Sequence, residues 1–188
     1  ATAKEVFDLL RDDLAAIEQE FLEQSKSQVE VVTDIAQYLV SGGGKRIRPL
    51  LLLLSAKALG STSHSRIRLG AVVEMLHTAT LVHDDVMDEA EQRRAQPTAN
   101  ARWGNSLSVL LGDCLFSHAL TLSTDFENSD IGRAIARTAT TVCSGEMIQT
   151  QRRFDLNLTV EDYLRIVQMK TGSLFTAAAE LAAVISGS

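Results

Sequence analysis

Proline is almost missing from this chain, and that constrains its fold more than any other feature. Only Pro49 and Pro97 occur in 188 residues, so long helices can run without interruption. Apolar residues recur at spacings of three and four, the period of an amphipathic helix. The pattern predicts an all-α fold, a single domain over residues 1–188. We expect its helices over 4–24, 29–40, 49–59, 67–88, 100–122, 131–151 and 160–185, the last bent or split near residue 170.

The overall charge and the cysteines narrow the functional class. A net charge of −6 argues against a general nucleic-acid binder, which needs a broad basic surface. Cys114 and Cys143 lie in apolar helical patterns without metal-like spacing, so we expect small core residues in a reducing compartment. The longest apolar runs, 49–56 and 174–185, are shorter than the ~20 residues that cross a bilayer. We therefore expect a cytoplasmic protein without a signal peptide or membrane span.

Three aspartates form the densest group of candidate metal ligands. Asp84, Asp85 and Asp88 lie within five residues, in the last part of a predicted helix. The carboxylates of Asp84 and Asp88 are four residues apart and project from one helix face. They repel each other unless a cation lies between them, and Mg²⁺ commonly uses one or two carboxylates plus substrate phosphates. The pattern predicts a magnesium site, with a solvated acidic helix end as the alternative.

Basic residues and a histidine accompany the aspartates. Arg93 and Arg94 follow within a short loop, where two guanidinium groups favour a phosphate–metal assembly; an intramolecular salt-bridge cluster is the alternative. His77 lies two helical turns before Asp84 and so faces the same side, unless it is a core histidine bonded to a backbone carbonyl. His83 points elsewhere, and we expect no catalytic role for it.

A glycine-rich basic loop is the second candidate site. Three glycines at 42–44 permit close approach of a ligand, and Lys45 and Arg48 follow at the positive end of the next helix. This combination favours binding of a diphosphate. The spacing differs from that of a P-loop. A helix-capping turn with solvated basic residues is the alternative.

Taken together, several segments of this sequence resemble the trans-prenyltransferase family of isoprenyl diphosphate synthases. The resemblance covers about residues 35 to 175 and implies an all-α isoprenoid synthase fold around a central cavity, usually in a homodimer. The segments that carry it are G-G-G-K-R-I-R-P at 42–49, L-V-H-D-D-V-M-D at 81–88, R-R at 93–94, G-D at 112–113 and K-T at 170–171.

The resemblance also implies roles for individual residues in binding two substrates. One group would bind the diphosphate of isopentenyl diphosphate: Lys45, Arg48, His77 and Arg94. A second group would act on the allylic prenyl diphosphate. In that group Asp84 and Asp88, with Asp85 nearby, hold Mg²⁺, and the diphosphate is contacted by Arg93, Lys170 and Thr171.

Product length is predicted from the residues just before the aspartates. In the family, positions four and five before the first aspartate face the growing chain, and bulky aromatic residues there are typical of short-chain synthases. Here they are the small Thr80 and Ala79, which resemble those of long-chain octaprenyl- or solanesyl-type members. The alternative is that Ala79 only permits close helix packing.

One family feature does not occur in this sequence. Members carry a second aspartate-rich motif in the C-terminal half, whereas here Glu180 is the only acid after Thr171. We therefore expect the N-terminal portion of the domain, with poor turnover on its own. A regulatory subunit that binds prenyl diphosphates or pairs with a full-length synthase is the alternative. A terpene cyclase shares D-D-x-x-D but needs no isopentenyl diphosphate loop.

Overall fold

The computed structural model describes residues 2–26 and 29–187. Within these residues the chain is all-α except for one hairpin of two short strands, each two residues long. This confirms the predicted fold class. The helices are α1 (Ala3–Leu9), α2 (Arg11–Gln24), α3 (Glu30–Ser41), α4 (Ile47–Ala58), α5 (Ser65–Met87), α6 (Ala99–Trp103), α7 (Asn105–Thr124), α8 (Ser129–Gln151), α9 (Val160–Val167) and α10 (Ser173–Ile185). A π-helical segment (Gln168–Gly172) joins α9 to α10, and strands β1 (Gln92–Arg93) and β2 (Gln96–Pro97) pair antiparallel.

Helix α5 is the centre of the core. Its residues 69–76 are buried, and α2, α4, α7 and α10 pack around it. A helix that is apolar on most sides needs such neighbours on most sides. At Gly70 a β-carbon would lie 2.4 Å from Cδ1 of Ile17, so glycine allows α2 to approach α5 closely. The helix that carries the aspartates is therefore held firmly at its buried end.

Two predicted helices are each divided in the structure. The helix expected over 4–24 breaks at Leu10, whose φ of −118° lies outside the helical range and whose side chain is buried in the core. The helix expected over 100–122 breaks at Gly104, which has a φ of +85° and caps α7. Residues with a side chain rarely adopt that φ, so glycine is suited to the position where the helix breaks. The predicted break near residue 170 is confirmed by the π-helical segment.

The expectation that the cysteines are core residues was wrong. Cys114 and Cys143 are both free thiols and both exposed, and Cys143 lines a cavity instead of the core. By length and composition alone, helix α7 is long and apolar enough to cross a membrane. Its most apolar stretch has a mean hydropathy of 1.3, and 39% of that stretch is buried within the protein. The sequence estimate considered only the two shorter apolar runs.

Candidate active site

Two neighbouring cavities lie beside α5 and share two residues, Arg48 and His77. The first, which we call the basic cavity, has a volume of about 520 Å³. Its wall consists of Gly44, Lys45, Arg46, Ile47, Arg48, Glu74, His77, Arg94 and Phe175. The second, the apolar cavity, has a volume of about 490 Å³. It is lined mostly by side chains of α5, α7 and α8, and its polar members are Arg48, His77, Thr80, His83, Asp84, Glu146, Lys170 and Thr171.

The basic cavity collects cations that have no acidic partner. Within residues 2–26 and 29–187, no carboxylate forms an ion pair with Lys45, Arg48 or Arg94. The Nε of Arg48 is buried without a hydrogen-bond acceptor, and the guanidinium lies 4.8 Å from the ring centroid of Phe175. Burial lowers the pKa of Arg48 from its usual value. A buried donor without an acceptor is costly, so an anion in this cavity would find ready partners.

Gly44 is needed for this arrangement. A β-carbon there would lie 2.6 Å from Nη1 of Arg46 and 2.8 Å from Nη1 of Arg94, closer than real β-carbons come. The absence of a side chain therefore lets two guanidinium groups from different segments pass the loop. The close approach of a ligand expected at these glycines stays a prediction.

His77 lies between the two cavities and is neutral. Burial, together with the positive charges of Arg48, Arg94, Arg93 and Arg46, lowers its pKa to about 3. A neutral imidazole can donate one hydrogen bond and accept another. His77 is therefore a hydrogen-bonding group at neutral pH and adds no positive charge to the cluster.

At the other end of α5, Asp84 forms a network with Lys170 and Glu146. The Nζ of Lys170 lies 3.3 Å from Oδ2 of Asp84 and 2.5 Å from Oε2 of Glu146. Burial raises the pKa of Asp84, an effect that Lys170 opposes and Glu146 reinforces. Burial works to lower the pKa of Lys170, but its bond to Glu146 and the charge of Asp84 outweigh burial and raise it. One ammonium group thus offsets two carboxylates.

Asp85 differs from its neighbour because it points into the protein. Its side chain is 7% exposed and accepts two hydrogen bonds from Nε of Arg93, at 2.9 and 3.0 Å, and one from Nη2 at 2.7 Å. This bond raises the pKa of Arg93. The bidentate pair ties the hairpin to α5. The salt-bridge alternative raised for the arginines therefore describes Arg93, whereas Arg94 extends into the basic cavity.

The π-helical segment places Lys170. At Gly145 of α8, a β-carbon would lie 2.8 Å from Cβ of Met169 and 3.0 Å from the backbone nitrogen of Lys170. Glycine therefore lets the extra-wide turn lie directly against α8. Single π turns inside helices are frequent at functional sites. Here the turn carries Lys170 and Thr171 to the wall of the apolar cavity.

The remaining predicted residues divide between cavity and core. Thr80 lines the apolar cavity, whereas Ala79 has no exposed surface, which fits the alternative that it permits close packing. Asp88 is exposed just after the end of α5. The Nε2 of His83 lies 3.1 Å from the carbonyl oxygen of Val109 on α7. Gly112 permits that contact, since a β-carbon there would lie 2.2 Å from the imidazole.

The donor set at the aspartates suits a hard cation. In the described part of the chain, no group of three or more His, Cys, Asp or Glu side chains is arranged to hold a metal ion. Asp84 and Asp88 supply two carboxylates, and Asp85 is already engaged by Arg93. Mg²⁺ typically takes one or two carboxylates and completes its shell with water and phosphate oxygens. The residues therefore fit a two-carboxylate magnesium site that a phosphorylated ligand would complete.

Three residues of the site were not predicted from the sequence. Glu146 belongs to α8, far along the chain from Asp84, so no local pattern connects them. Glu74 is an acid in the buried run 69–76, and an acid inside an otherwise apolar helix is a signal that could have been used. Phe175 follows the π-helical segment and reaches Arg48 only through the fold.

The all-α fold and the paired cavities define a protein of the isoprenoid synthase type, with one basic and one carboxylate-bearing site. Solved structures agree with this class. A decaprenyl diphosphate synthase from Rhodobacter capsulatus matches with a TM-score of 0.95 at 37% identity, over 100% of this chain and 58% of that one. A polyprenyl synthase from Caulobacter crescentus CB15, complexed with calcium and isoprenyl diphosphate, matches with a TM-score of 0.95 at 36% identity, over 100% and 57%.

The chain belongs to the polyprenyl synthetase family, whose model matches residues 29–188. Octaprenyl diphosphate synthase of Escherichia coli (strain K12) is 36% identical over 184 residues, which are 98% of this chain and 57% of that protein. All-trans-nonaprenyl-diphosphate synthase (geranyl-diphosphate specific) of Rhodobacter capsulatus is 42% identical over 177 residues, 93% and 54%. The chain thus spans little more than half the length of these relatives.

Proposed function

We propose that the protein is a prenyltransferase that joins isopentenyl diphosphate to an allylic prenyl diphosphate and makes a long all-trans polyprenyl diphosphate. One observation carries the proposal: a basic cavity and a carboxylate-bearing apolar cavity adjoin at Arg48 and His77. Two substrates with diphosphate heads can then bring their hydrocarbon ends together. The family membership supports this activity, and the octaprenyl and nonaprenyl relatives support a long product.

The reaction asks for charge stabilisation and exclusion of water. The allylic carbon–oxygen bond breaks, and its electron pair leaves with the diphosphate. The double bond of isopentenyl diphosphate forms the new carbon–carbon bond with the allylic cation. A proton is then lost and a new double bond forms, with the released diphosphate as the proton acceptor. No nucleophilic side chain is needed, and electrostatic stabilisation of the leaving group is the main demand.

The basic cavity is proposed to bind isopentenyl diphosphate. Among the described residues, Lys45, Arg48 and Arg94 have no acidic partner, and the buried Nε of Arg48 is a donor without an acceptor. His77 is kept neutral by burial, so it contributes a hydrogen bond to a phosphate oxygen. Arg48 lies in the first turn of α4, where the backbone N–H groups also favour an anion.

The aspartate end of α5 is proposed to bind the allylic diphosphate. Asp84 and Asp88 would hold Mg²⁺, which when bound offsets the charge that develops on the leaving diphosphate. Lys170, poised between Asp84 and Glu146, can transfer one of its donors to a phosphate oxygen. Thr171 offers a hydroxyl on the same wall. Arg93 contributes indirectly, because its bond to Asp85 fixes the C-terminal end of α5 beside the diphosphate.

The apolar cavity is proposed to hold the growing hydrocarbon and to protect the cation from water. Besides Thr80, its wall includes Val109, Phe116, Val142 and Met147, all apolar and supplied by α7 and α8. Product length would depend on this whole wall and not on α5 alone. That inference extends the sequence prediction, which used Thr80 and Ala79, four and five residues before the first aspartate.

We also propose that the protein works as a homodimer. Helix α7 exposes apolar side chains, among them Leu107 at 39% and Leu110 at 58%. A second copy packed there would remove this surface from water. Light scattering measures the mass directly: a dimer is expected, and a monomer that persists at high concentration would contradict it. The cytoplasmic location expected from the sequence stays a prediction.

A single-turnover assay tests the proposed reaction. The protein, in excess over an allylic diphosphate, is mixed with radiolabelled isopentenyl diphosphate and Mg²⁺, and the products are separated by chromatography. We expect a product longer by at least one isoprene unit, dependent on Mg²⁺ and abolished by Asp84→Asn. If the protein binds both substrates but makes no longer product under any Mg²⁺ concentration, the proposed condensation is wrong.

A further inference from the structure

Arg46 stands between two proposed substrate ligands but is held differently from both. Its backbone is left-handed, with φ 45° and ψ 38°, directly before the first turn of α4. Residues with a side chain rarely adopt that region, so the surrounding structure has to hold it. Lys45 precedes it and Arg48 lies two residues later. The direction of both side chains therefore depends on a backbone turn at Arg46.

The side chain of Arg46 supplies that hold. It is 10% exposed, and all three of its nitrogens donate to protein groups. Nε bonds Oε1 of Glu18 at 2.8 Å, Nη1 bonds Oε1 of Glu74 at 3.0 Å, and Nη2 bonds the carbonyl oxygen of Val40 at 3.2 Å. These partners belong to α2, α5 and α3. One guanidinium thus fastens the loop to three helices.

The contrast with its neighbours separates two roles within one basic run. In the described ranges, Lys45 and Arg48 have no ion-pair partner, whereas Arg46 has two. Arg46 contributes to the wall of the basic cavity, but each of its three nitrogens already donates to a protein group. It is therefore poorly suited to bind an anion itself. Arg46 therefore anchors the loop to the surrounding helices, whereas Lys45 and Arg48 beside it keep their charges available for an anion.

Glu74 connects the anchor to the helix that carries the rest of the site. Its side chain is 8% exposed, and it lies three residues before His77, on the same part of α5. A buried carboxylate needs a cation, and the loss of either partner leaves an uncompensated charge. The Arg46–Glu74 pair therefore joins the loop to the part of α5 that carries His77, and all three proposed ligands line the same cavity.

We propose that Arg46 is a positioning residue for the isopentenyl diphosphate site: its bonds to Glu18, Glu74 and the Val40 carbonyl orient Lys45 and Arg48 towards the substrate diphosphate. This rests on the proposed function, because it assumes that the basic cavity binds the diphosphate of that substrate. It does not involve the aspartate end of α5. The two substrates should therefore respond differently to a change at Arg46.

Binding of each substrate, measured separately by calorimetry, tests the proposal. Arg46→Gln keeps a polar side chain but loses the charge and the three-way bond. We expect the dissociation constant for isopentenyl diphosphate to rise about tenfold or more, since small misplacements of charged ligands cost that much. The constant for an allylic diphosphate with Mg²⁺ should stay within about twofold. Arg46→Lys, which keeps one charged donor, should recover part of the loss.

Arg66→Gln is a matched control. Arg66 is also a part-buried arginine that joins α2 to α5, through Asp13 and the carbonyl oxygens of Thr62 and Ser63, but it lies away from the loop. Both dissociation constants should stay unchanged in this variant. If Arg46→Gln does not fold, Glu18→Gln decides, because it removes one charged acceptor at a half-exposed position. This variant should raise the dissociation constant for isopentenyl diphosphate about threefold and leave that for the allylic diphosphate unchanged.

Two results would overturn the inference while the proposed function stands. One is a folded Arg46→Gln that binds isopentenyl diphosphate as the unaltered protein does. The other is an equal loss for both substrates, which would indicate a general structural role. A failure of the proposed function looks different, because the unaltered protein would then bind no isopentenyl diphosphate at all.

Discussion

A single methyl group at Gly145 should disable the allylic site without unfolding the protein. In Gly145→Ala the new β-carbon would lie 2.8 Å from Cβ of Met169 and 3.0 Å from the nitrogen of Lys170. Carbon atoms normally approach to about 3.5–4.0 Å, so the π-helical segment has to move away by roughly 0.5–1 Å. Both neighbours are main-chain or β-carbon atoms, which cannot turn aside as the end of a flexible side chain can.

The stability change should be small because two effects oppose each other. Overpacking of this kind costs about 1–3 kcal/mol. Alanine is favoured over glycine inside a helix by about 1 kcal/mol, which offsets part of that cost. We therefore expect the free energy of unfolding to fall by about 0–2 kcal/mol. Function should respond more strongly, since displacement of a positioned group by about 1 Å can cost on the order of 100-fold.

The assay compares three glycines. Urea unfolding gives the stability, and calorimetry with Mg²⁺ gives the affinity for an allylic diphosphate. Gly145→Ala should weaken that affinity by about 10- to 100-fold, because Lys170 is carried away from Asp84. Gly132→Ala, on the same helix, places its β-carbon 3.5 Å from its nearest neighbour, an ordinary contact. Gly172→Ala, inside the π-helical segment, meets nothing closer than 3.7 Å. Both controls should keep full affinity.

The result that would refute this reasoning is equal affinity in Gly145→Ala and the two controls. In that case the contact between α8 and the π-helical segment would not determine where Lys170 lies. A collapse of stability by much more than about 3 kcal/mol would also contradict it, since overpacking at one site rarely costs more.

Three further predictions use other parts of the two cavities. His77 has a pKa of about 3 in the folded protein and near 6.5 in the unfolded chain. Its contribution to the free energy of unfolding is therefore complete above pH 6.5 and is lost as the pH falls towards 3. Urea midpoints at pH 7.5 and 5.0 should differ more in the unaltered protein than in His77→Gln, and equal differences would contradict this. Lys170→Met should raise the pKa of Asp84 further, because the carboxylate stays buried and loses the positive charge that offsets its burial. An NMR titration of the carboxyl group measures this pKa, and an unchanged or lower value would argue against the network. Thr80→Phe should fill part of the apolar cavity and shorten the longest product seen by chromatography, whereas an unchanged product range would show that other walls set the length.

Local patterns predicted those parts of the site that lie on one element. The i, i+4 spacing of Asp84 and Asp88 and the two-turn spacing from His77 depend only on helix geometry, and the structure keeps His77 and Asp84 on α5, with Asp88 as the residue that caps its C-terminal end. The basic loop before α4 could likewise be predicted, because three consecutive glycines are followed by three basic residues within one eight-residue segment. Asp85 was grouped with the metal ligands, but its turn points it into the core against Arg93.

What could not be predicted depends on contacts between distant segments. Glu146 meets Lys170 and Asp84 only because α8 packs against the π-helical segment at Gly145. The exposure of Cys143 was missed for the same reason, since an apolar helical pattern does not reveal which side faces a cavity. The break at Gly104 carried a local signal, a glycine within the helical run, that the periodicity outweighed.

Two independent diphosphate sites are the centre of this account, and one titration series tests them most directly. Isopentenyl diphosphate and an allylic diphosphate are titrated separately by calorimetry, with and without Mg²⁺, into the unaltered protein, Asp84→Asn and Lys45→Gln. We predict that allylic binding requires Mg²⁺ and is lost in Asp84→Asn, whereas isopentenyl diphosphate binds without Mg²⁺ and is weakened only in Lys45→Gln. Loss of both substrates in either variant, or allylic binding that is indifferent to Mg²⁺ and to Asp84, would contradict the account.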